Sequence, residues 1–288
     1  VTAVPMDEDL GAAMRLIRHA VDSYLTDAAE AEAEVTGERL GRAVKATLEE
    51  AGALGALIAD RRFKLQFQPI VSLADRELSH YETLVRFPGG RSPYALIRMA
   101  EELDMIERLD IAVAEEAIRH LQADPTGTLR LSVNVSGRSV TRDRWFRTII
   151  GRGKDLSGRL SIEITESAAI EDLDRAAAHV RALRQRGFEV CLDDFGAGAA
   201  SMDYLRALQV DVVKIDGRYI KELGSSSRNV ALVRHMVDLC TELRVRTIAE
   251  MVETEDTETA LRAMGVTYGQ GWLFGRPSEL PEANRAPV

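Results

Sequence analysis

Cysteine, long apolar runs and excess positive charge are all scarce in this chain, and each absence removes a class of protein. Only two of its 288 residues are cysteine, Cys191 and Cys240. Both lie inside apolar segments, which suits a reducing compartment and excludes a disulfide scaffold. No apolar run approaches the roughly 18 residues that a membrane-spanning helix needs; the longest, Ala51 to Ala59, covers nine. Lys and Arg number 37 against 46 Asp and Glu, a net charge of −9. Coating DNA or an anionic membrane needs the opposite field, so no DNA partner is expected. No secretory signal pattern is present, which predicts a cytoplasmic protein. The first residue is Val rather than Met. That predicts a fragment of a longer chain, with an upstream sensory domain or a segment tethering it to the membrane.

With 45% apolar residues, the chain can bury a substantial core. Two patterns divide it. Residues 1–60 carry apolar positions at helical spacing, first Leu10, Met14, Ile17, Val21 and Leu25, then Leu40, Val44, Leu48, Ala51, Leu54 and Ile58. Two amphipathic helices that link, pack or dimerise are expected there. Residues 61–288 alternate short apolar runs with helical stretches. Strands are predicted at Leu65–Val71, His80–Phe87, Leu129–Val135, Leu160–Thr165, Val190–Asp193, Val212–Ile215, Val245–Ala249 and Tyr268–Phe274. Helices are predicted between most of them, including one long helix over Pro93–Gln122. Eight strands alternating with crossover helices over about 220 residues fit an α/β fold of the (β/α)8 barrel type. An open doubly wound sheet is the alternative, but the glycine fingerprint it usually carries is missing after the first strand.

A barrel keeps its chemistry at the carboxyl ends of its strands. The polar residues there are Glu82, Asn134, Glu163 with Glu166, Asp193 with Asp194, Lys214 with Asp216, Glu250 with Glu253, and Gln270. One carboxylate at a strand end simply meets water. A ring of them is different, because packed like charges repel unless a cation or a lysine neutralises them. An all-oxygen set of this kind suits a hard divalent cation such as Mg²⁺, Mn²⁺ or Ca²⁺. No Cys or His pair has zinc spacing, and the five histidines are scattered. Two reaction classes fit. In one, two metals polarise a phosphodiester while Lys214 orients water and Arg86 clamps a phosphate oxygen. In the other, Mg²⁺ stabilises an enediolate with Lys214 as base.

The segments that carry these residues resemble the EAL-domain family, which binds and hydrolyses the bacterial second messenger cyclic di-GMP. The resemblance spans about residues 61–278. It rests on Gln68-Pro69-Ile70, Tyr81-Glu82-Thr83-Leu84-Val85-Arg86, Val133-Asn134-Val135-Ser136, Ile162-Glu163-Ile164-Thr165-Glu166-Ser167, Asp193-Asp194-Phe195-Gly196, Asp211-Val212-Val213-Lys214-Ile215-Asp216, Ala249-Glu250-Met251-Val252-Glu253-Thr254 and Tyr268-Gly269-Gln270-Gly271. It implies a barrel whose first strand runs antiparallel to its neighbours. It implies metal ligation by Glu82, Asn134, Glu163, Asp193, Asp194 and Glu250, with Mg²⁺ or Mn²⁺ in a site for up to two ions. Lys214, Glu82 and Gln270 are implied in catalysis, and Arg86, Gln68 and Asp216 in substrate binding. Glu166 and Glu253 are implied as supporting residues. The implied reaction opens one phosphodiester bond to give linear pGpG, and a homodimer is the implied assembly.

Three positions depart from the family pattern. Thr83 replaces alanine in the signature, on the strand face opposite Glu82. Met251 replaces the glycine after Glu250, which is expected to disturb that glutamate. Ala199-Ala200-Ser201 stands where active members carry Tyr-Ser-Ser. The metal ligands favour an enzyme. The altered loop favours the alternative, a weak or inactive cyclic di-GMP receptor that signals through a protein effector.

Overall fold

In a computed structural model of the protein, the described residues are 15, 18, 19, 21, 37–165, 170–196, 201–223 and 227–280. The first N-terminal helical pattern therefore lies mostly outside the described residues, although Arg15, Arg18, His19 and Val21 are helical. The second forms α1 (Gly37–Ala59). Glu166 and residues 197–200, which carry Ala199 and Ala200, lie outside the described residues, as do the side-chain surroundings of Ser201.

Eight strands close into a barrel in sequence order: β1 (Lys64–Ser72), β2 (Leu78–Arg86), β3 (Leu131–Ser136), β4 (Leu160–Thr165), β5 (Glu189–Phe195), β6 (Val212–Ile215), β7 (Arg246–Ala249) and β8 (Tyr268–Gln270). Pairing is parallel from β2 through β8, and β1 closes the barrel antiparallel to β8, with Ile70 opposite Gln270. The reversed first strand implied by the resemblance is therefore present.

Two expectations on elements need correction. The long helix is two helices, α2 (Pro93–Glu102) and α3 (Ile106–Ala123). Asp104 between them takes φ 58°, which no α-helix accommodates. The last strand ends at Gln270 rather than Phe274, because Phe274 and Gly275 both donate their N–H groups back to the Gly271 carbonyl in a turn. The remaining helices are α4 (Asp143–Arg152), α5 (Leu173–Gln185), α6 (Ser201–Leu208), α7 (Gly217–Lys221), α8 (Ser227–Glu242) and α9 (Glu255–Ala263). Side-chain caps start three of them, Asp172 on Arg175 N, Asp216 on Arg218 N and Thr254 on Thr257 N. Each satisfies a backbone donor that the first helical turn leaves open.

The chain forms two compact units. One comprises residues 1–64 with 86–109, and the other residues 65–85 with 110–288. In the first, α1 buries Leu54 and presents Gly55 to the Met105 methyl group. In the second, Ile70, Cys191, Val212 and Ile248 form a buried apolar cluster. Three of these precede Asp193, Lys214 and Glu250 by two residues, and side chains two apart share a strand face. That apolar layer is the floor on which the charged layer stands. Cys191 and Cys240 are both buried free thiols.

Candidate active site

Lys214 sits at the centre of the charged layer and is 1% exposed. Its Nζ lies 2.9 Å from Glu250 Oε1, 3.1 Å from Glu163 Oε2, 3.2 Å from Asp193 Oδ1 and 3.3 Å from Glu82 Oε2. Four strands thus aim one carboxylate each at a single ammonium. Asn134 Nδ2 donates to Glu82 Oε1 at 2.8 Å, and Gln270 Nε2 donates to Glu82 Oε2 at 2.6 Å. Gln270 also reaches Gln68 Oε1 at 3.3 Å, and Gln68 Nε2 donates to the Gly275 carbonyl.

Asp194 joins the cluster through a local irregularity. Successive side chains on a regular strand point to opposite faces, so Asp193 and Asp194 would diverge. The pairing of β5 with β6 shifts register between Leu192 and Phe195, and Asp194 takes φ 54°. A bulge of this kind re-aims a side chain. One ligand atom each from Asp193, Asp194 and Glu250 then lies within 4.8 Å of the others.

Burial together with only one ammonium for this many carboxylates moves most of their pKa values upward. Burial raises Glu163 to about 8, against the pull of Lys214 and with the Glu82 and Asp193 charges adding to the rise. Burial and the Asp193 charge raise Glu250 to about 7, and they raise Asp194 to about 6. Asp193 also moves up, chiefly through burial. Glu82 is buried as well, yet Lys214 and the Gln270 and Asn134 amides outweigh the burial and hold it below the usual range. The carboxylates in turn lift Lys214 well above its ordinary value despite its burial.

The donor set fits a hard cation. Asn134 Oδ1 and Gln270 Oε1 are buried without a hydrogen-bond donor, and the buried Glu163 carboxylate has the Lys214 ammonium 3.1 Å from Oε2. Burying bare acceptors costs free energy unless something positive meets them. Oxygen atoms from carboxylates and an amide are what Mg²⁺ and Mn²⁺ prefer.

A cavity of about 370 Å³ opens beside the cluster and is lined by Glu82, Asp194, Glu250, Met251, Gln270 and Trp272, among others. Gln68, Asp216 and Glu253 also line it. Asp216 has a structural task too, capping α7 and pairing with Arg218. Arg86 closes β2 and is grouped with the first unit. Met251 does not displace Glu250 from Lys214, contrary to expectation. It accepts φ 53°, the left-handed conformation a glycine would take freely. Thr83 is buried, as a residue on the other face of β2 should be.

Two residues at this end escaped the sequence reading. Trp272 is 58% exposed at the cavity rim, with the Arg276 guanidinium 4.3 Å from its ring centroid. An exposed aromatic directly after the Gly-Gln-Gly motif was the available signal. Tyr219 donates to the Gly196 carbonyl at 2.7 Å, a contact no local pattern announces.

A family model described as the EAL domain matches residues 46–277, so the match also takes in the second half of α1. The chain is 34% identical over 233 residues to the cyclic di-GMP phosphodiesterase PdeB of Shewanella oneidensis, covering 77% of this chain and 27% of that protein. It is 32% identical over 234 residues to the cyclic di-GMP phosphodiesterase NbdA of Pseudomonas aeruginosa, covering 77% of this chain and 30% of that one. The chain thus spans under a third of the length of these relatives. Among solved structures, the PaMucR phosphodiesterase in complex with c-di-GMP aligns with a TM-score of 0.71 at 28% identity, over 80% of this chain and 97% of that one. The EAL domain of Xanthomonas citri FimX, in complex with c-diGMP, aligns with a TM-score of 0.74 over 83% of this chain and 97% of that one. At 24% identity it speaks for the fold alone. Family model, relatives and fold agree, and this chain belongs to the EAL domain family.

Proposed function

We propose that this chain hydrolyses cyclic di-GMP to linear pGpG in a reaction that requires Mg²⁺ or Mn²⁺. The observation that carries the reading is the ring of Glu82, Glu163, Asp193 and Glu250 around Lys214, with the Asn134 Oδ1 acceptor left without a donor beside it. In this reading Glu82, Asn134, Glu163, Asp193, Asp194 and Glu250 hold up to two cations. Bound there, they neutralise phosphate charge and bring the pKa of bound water toward neutrality.

The remaining roles fall to the protein's own groups. Lys214 offsets the negative charge that develops on the phosphodiester and, with Gln270, orients the water that attacks phosphorus. One phosphorus–oxygen bond forms to that water and one breaks, which opens the ring. Glu82 is kept toward its ionised form by Lys214, with the Gln270 and Asn134 amides adding to the effect. Arg86, Gln68 and Asp216 are assigned to substrate binding. Glu253 at the cavity rim, and Glu166, are assigned to support.

Residues 61–288 are proposed as the catalytic module and 1–60 as the packing and linking segment. The module is assigned to the cytoplasm, with input from a neighbouring domain and a homodimer as its working form. The lengths of the curated relatives support a multi-part protein. Among the described residues, no helix is long and apolar enough to cross a membrane.

The test is direct. Purified protein is incubated with cyclic di-GMP and Mg²⁺ or Mn²⁺, and the products are separated by chromatography. Appearance of pGpG supports the enzyme. Micromolar binding by calorimetry without product overturns it in favour of a receptor, the reading that the Ala199-Ala200 departure favours.

A further inference from the structure

The aspartate pair owes its aim to an irregular turn, and a turn of this kind needs something to hold it. Asp194 at φ 54° and Gly196 at φ 93° bracket Phe195, the last residue of β5. Inside the turn, Asp194 N–H donates to Asp193 Oδ1 at 3.0 Å. That bond fixes the two residues to each other and not to the barrel. From outside, Phe195 pairs with Ile215 of β6, Lys214 Nζ meets Asp193 Oδ1 at 3.2 Å, and a further contact at the far end of the turn comes from α7. Tyr219 Oη donates to the Gly196 carbonyl at 2.7 Å, two residues beyond Asp194. The ring lies close against the glycine, since a Cβ there would come within 3.0 Å of Tyr219 Cε2 and 2.9 Å of the Met236 methyl.

Tyr219 is itself well anchored. Asp216 caps the helix that carries it, and its ring packs against a buried cluster that includes Ile220, Val233 and Val237. The same short segment holds Lys214 five residues upstream. One short piece of chain therefore carries both the central ammonium and the phenol that meets the backbone after Asp193 and Asp194. A phenylalanine would fill the same apolar space. What the hydroxyl adds is the bond to Gly196.

We infer that Tyr219 is a positioning residue, whose hydroxyl fixes the turn after β5 so that Asp193 and Asp194 present their oxygens to a shared divalent cation. The inference rests on the metal-dependent reading of the site. It concerns cation affinity first and turnover second.

The experiment compares wild type, Tyr219→Phe and Tyr219→Leu. Mn²⁺ affinity is measured by electron paramagnetic resonance of the free ion, alongside kcat and KM for cyclic di-GMP and thermal unfolding with chelator present. Loss of one neutral hydrogen bond should weaken Mn²⁺ binding about 3- to 10-fold in Tyr219→Phe. A comparable fall in kcat is expected, with KM unchanged. Tyr219→Leu should weaken Mn²⁺ binding at least as much and also lower the unfolding temperature. Mn²⁺ binding unchanged in Tyr219→Phe would overturn the inference, whether or not Tyr219→Leu is affected, because the ring alone would then carry the role. If wild type binds Mn²⁺ but never makes pGpG, the catalytic reading fails while the Mn²⁺ comparison still decides the role of Tyr219.

Discussion

Met251 lies across Gly217 so closely that a methyl group added to the glycine would overlap the Met251 Cγ and Sδ and come within 2.8 Å of its Cβ. The two residues stand at the carboxyl ends of neighbouring strands, one after Glu250 and the other opening α7. The left-handed backbone at Met251 turns its side chain into the space that a residue other than glycine would occupy at 217. The pair explains how the chain tolerates a bulky residue beside Glu250.

Gly217→Ala should therefore cost about 1–3 kcal/mol through overpacking. Met251→Gly should be nearly neutral. It relieves a left-handed L-residue, worth roughly 1 kcal/mol, and it returns a similar entropy to the unfolded chain. In the double variant the cost of Gly217→Ala should disappear. Chemical denaturation of the three variants reads this coupling, and additive costs would refute it.

Lys214→Met leaves four carboxylates around an apolar side chain. Removing one partner from a buried ionic cluster typically costs about 3–5 kcal/mol. The loss should be largest at pH 8, where the carboxylates are most ionised. It should shrink toward pH 6 as they take up protons in the ammonium's place. Denaturant midpoints at the two pH values test this, and an equal loss at both would contradict the role of Lys214 as counter-charge.

Stability of the metal-free protein should fall as pH rises from 6.5 to 8. Glu163 at about 8 and Glu250 at about 7 lie above the ordinary value of 4.5, so the folded state holds protons that the unfolded state has released. Their contribution is complete below that ordinary value and is lost as pH rises through the folded values. His80, which burial lowers to about 4, acts in the opposite direction, mainly below its ordinary 6.5 and fading over the first part of this window. Saturating Mn²⁺ should reverse the trend, because the cation binds the deprotonated carboxylates. Melting curves with chelator and with Mn²⁺ measure both slopes. A metal-free unfolding temperature that climbs across this window would refute the assignment.

The strands were legible because β-branched runs such as Val212–Ile215 and Leu160–Thr165 carry their own boundaries, and their polar ends marked the site. Direction was not legible. Alternation along Lys64–Ser72 is the same whichever way the strand runs, and only the motif resemblance implied the reversal. The break at Asp104 was hidden, since an aspartate in the left-handed region leaves no mark on apolar spacing. Met251 misled for a related reason. A side chain's size is visible in a sequence, whereas the φ it adopts depends on Gly217, 34 residues earlier. The contact of Tyr219 with Gly196 joins two different strand-to-helix connections, and no local period encodes it.

The most direct measurement is the initial rate of cyclic di-GMP opening with Mn²⁺, wild type beside Glu82→Ala. Glu82 is paired with Lys214 and held by Asn134 and Gln270, so its removal dismantles the ordered side of the cluster while leaving the barrel floor intact. Production of pGpG by wild type and a loss of at least about 100-fold in the variant are expected for a group that organises the reacting centre. Equal rates in the two proteins, or no product from wild type under any divalent cation, would contradict a hydrolytic site built around Lys214.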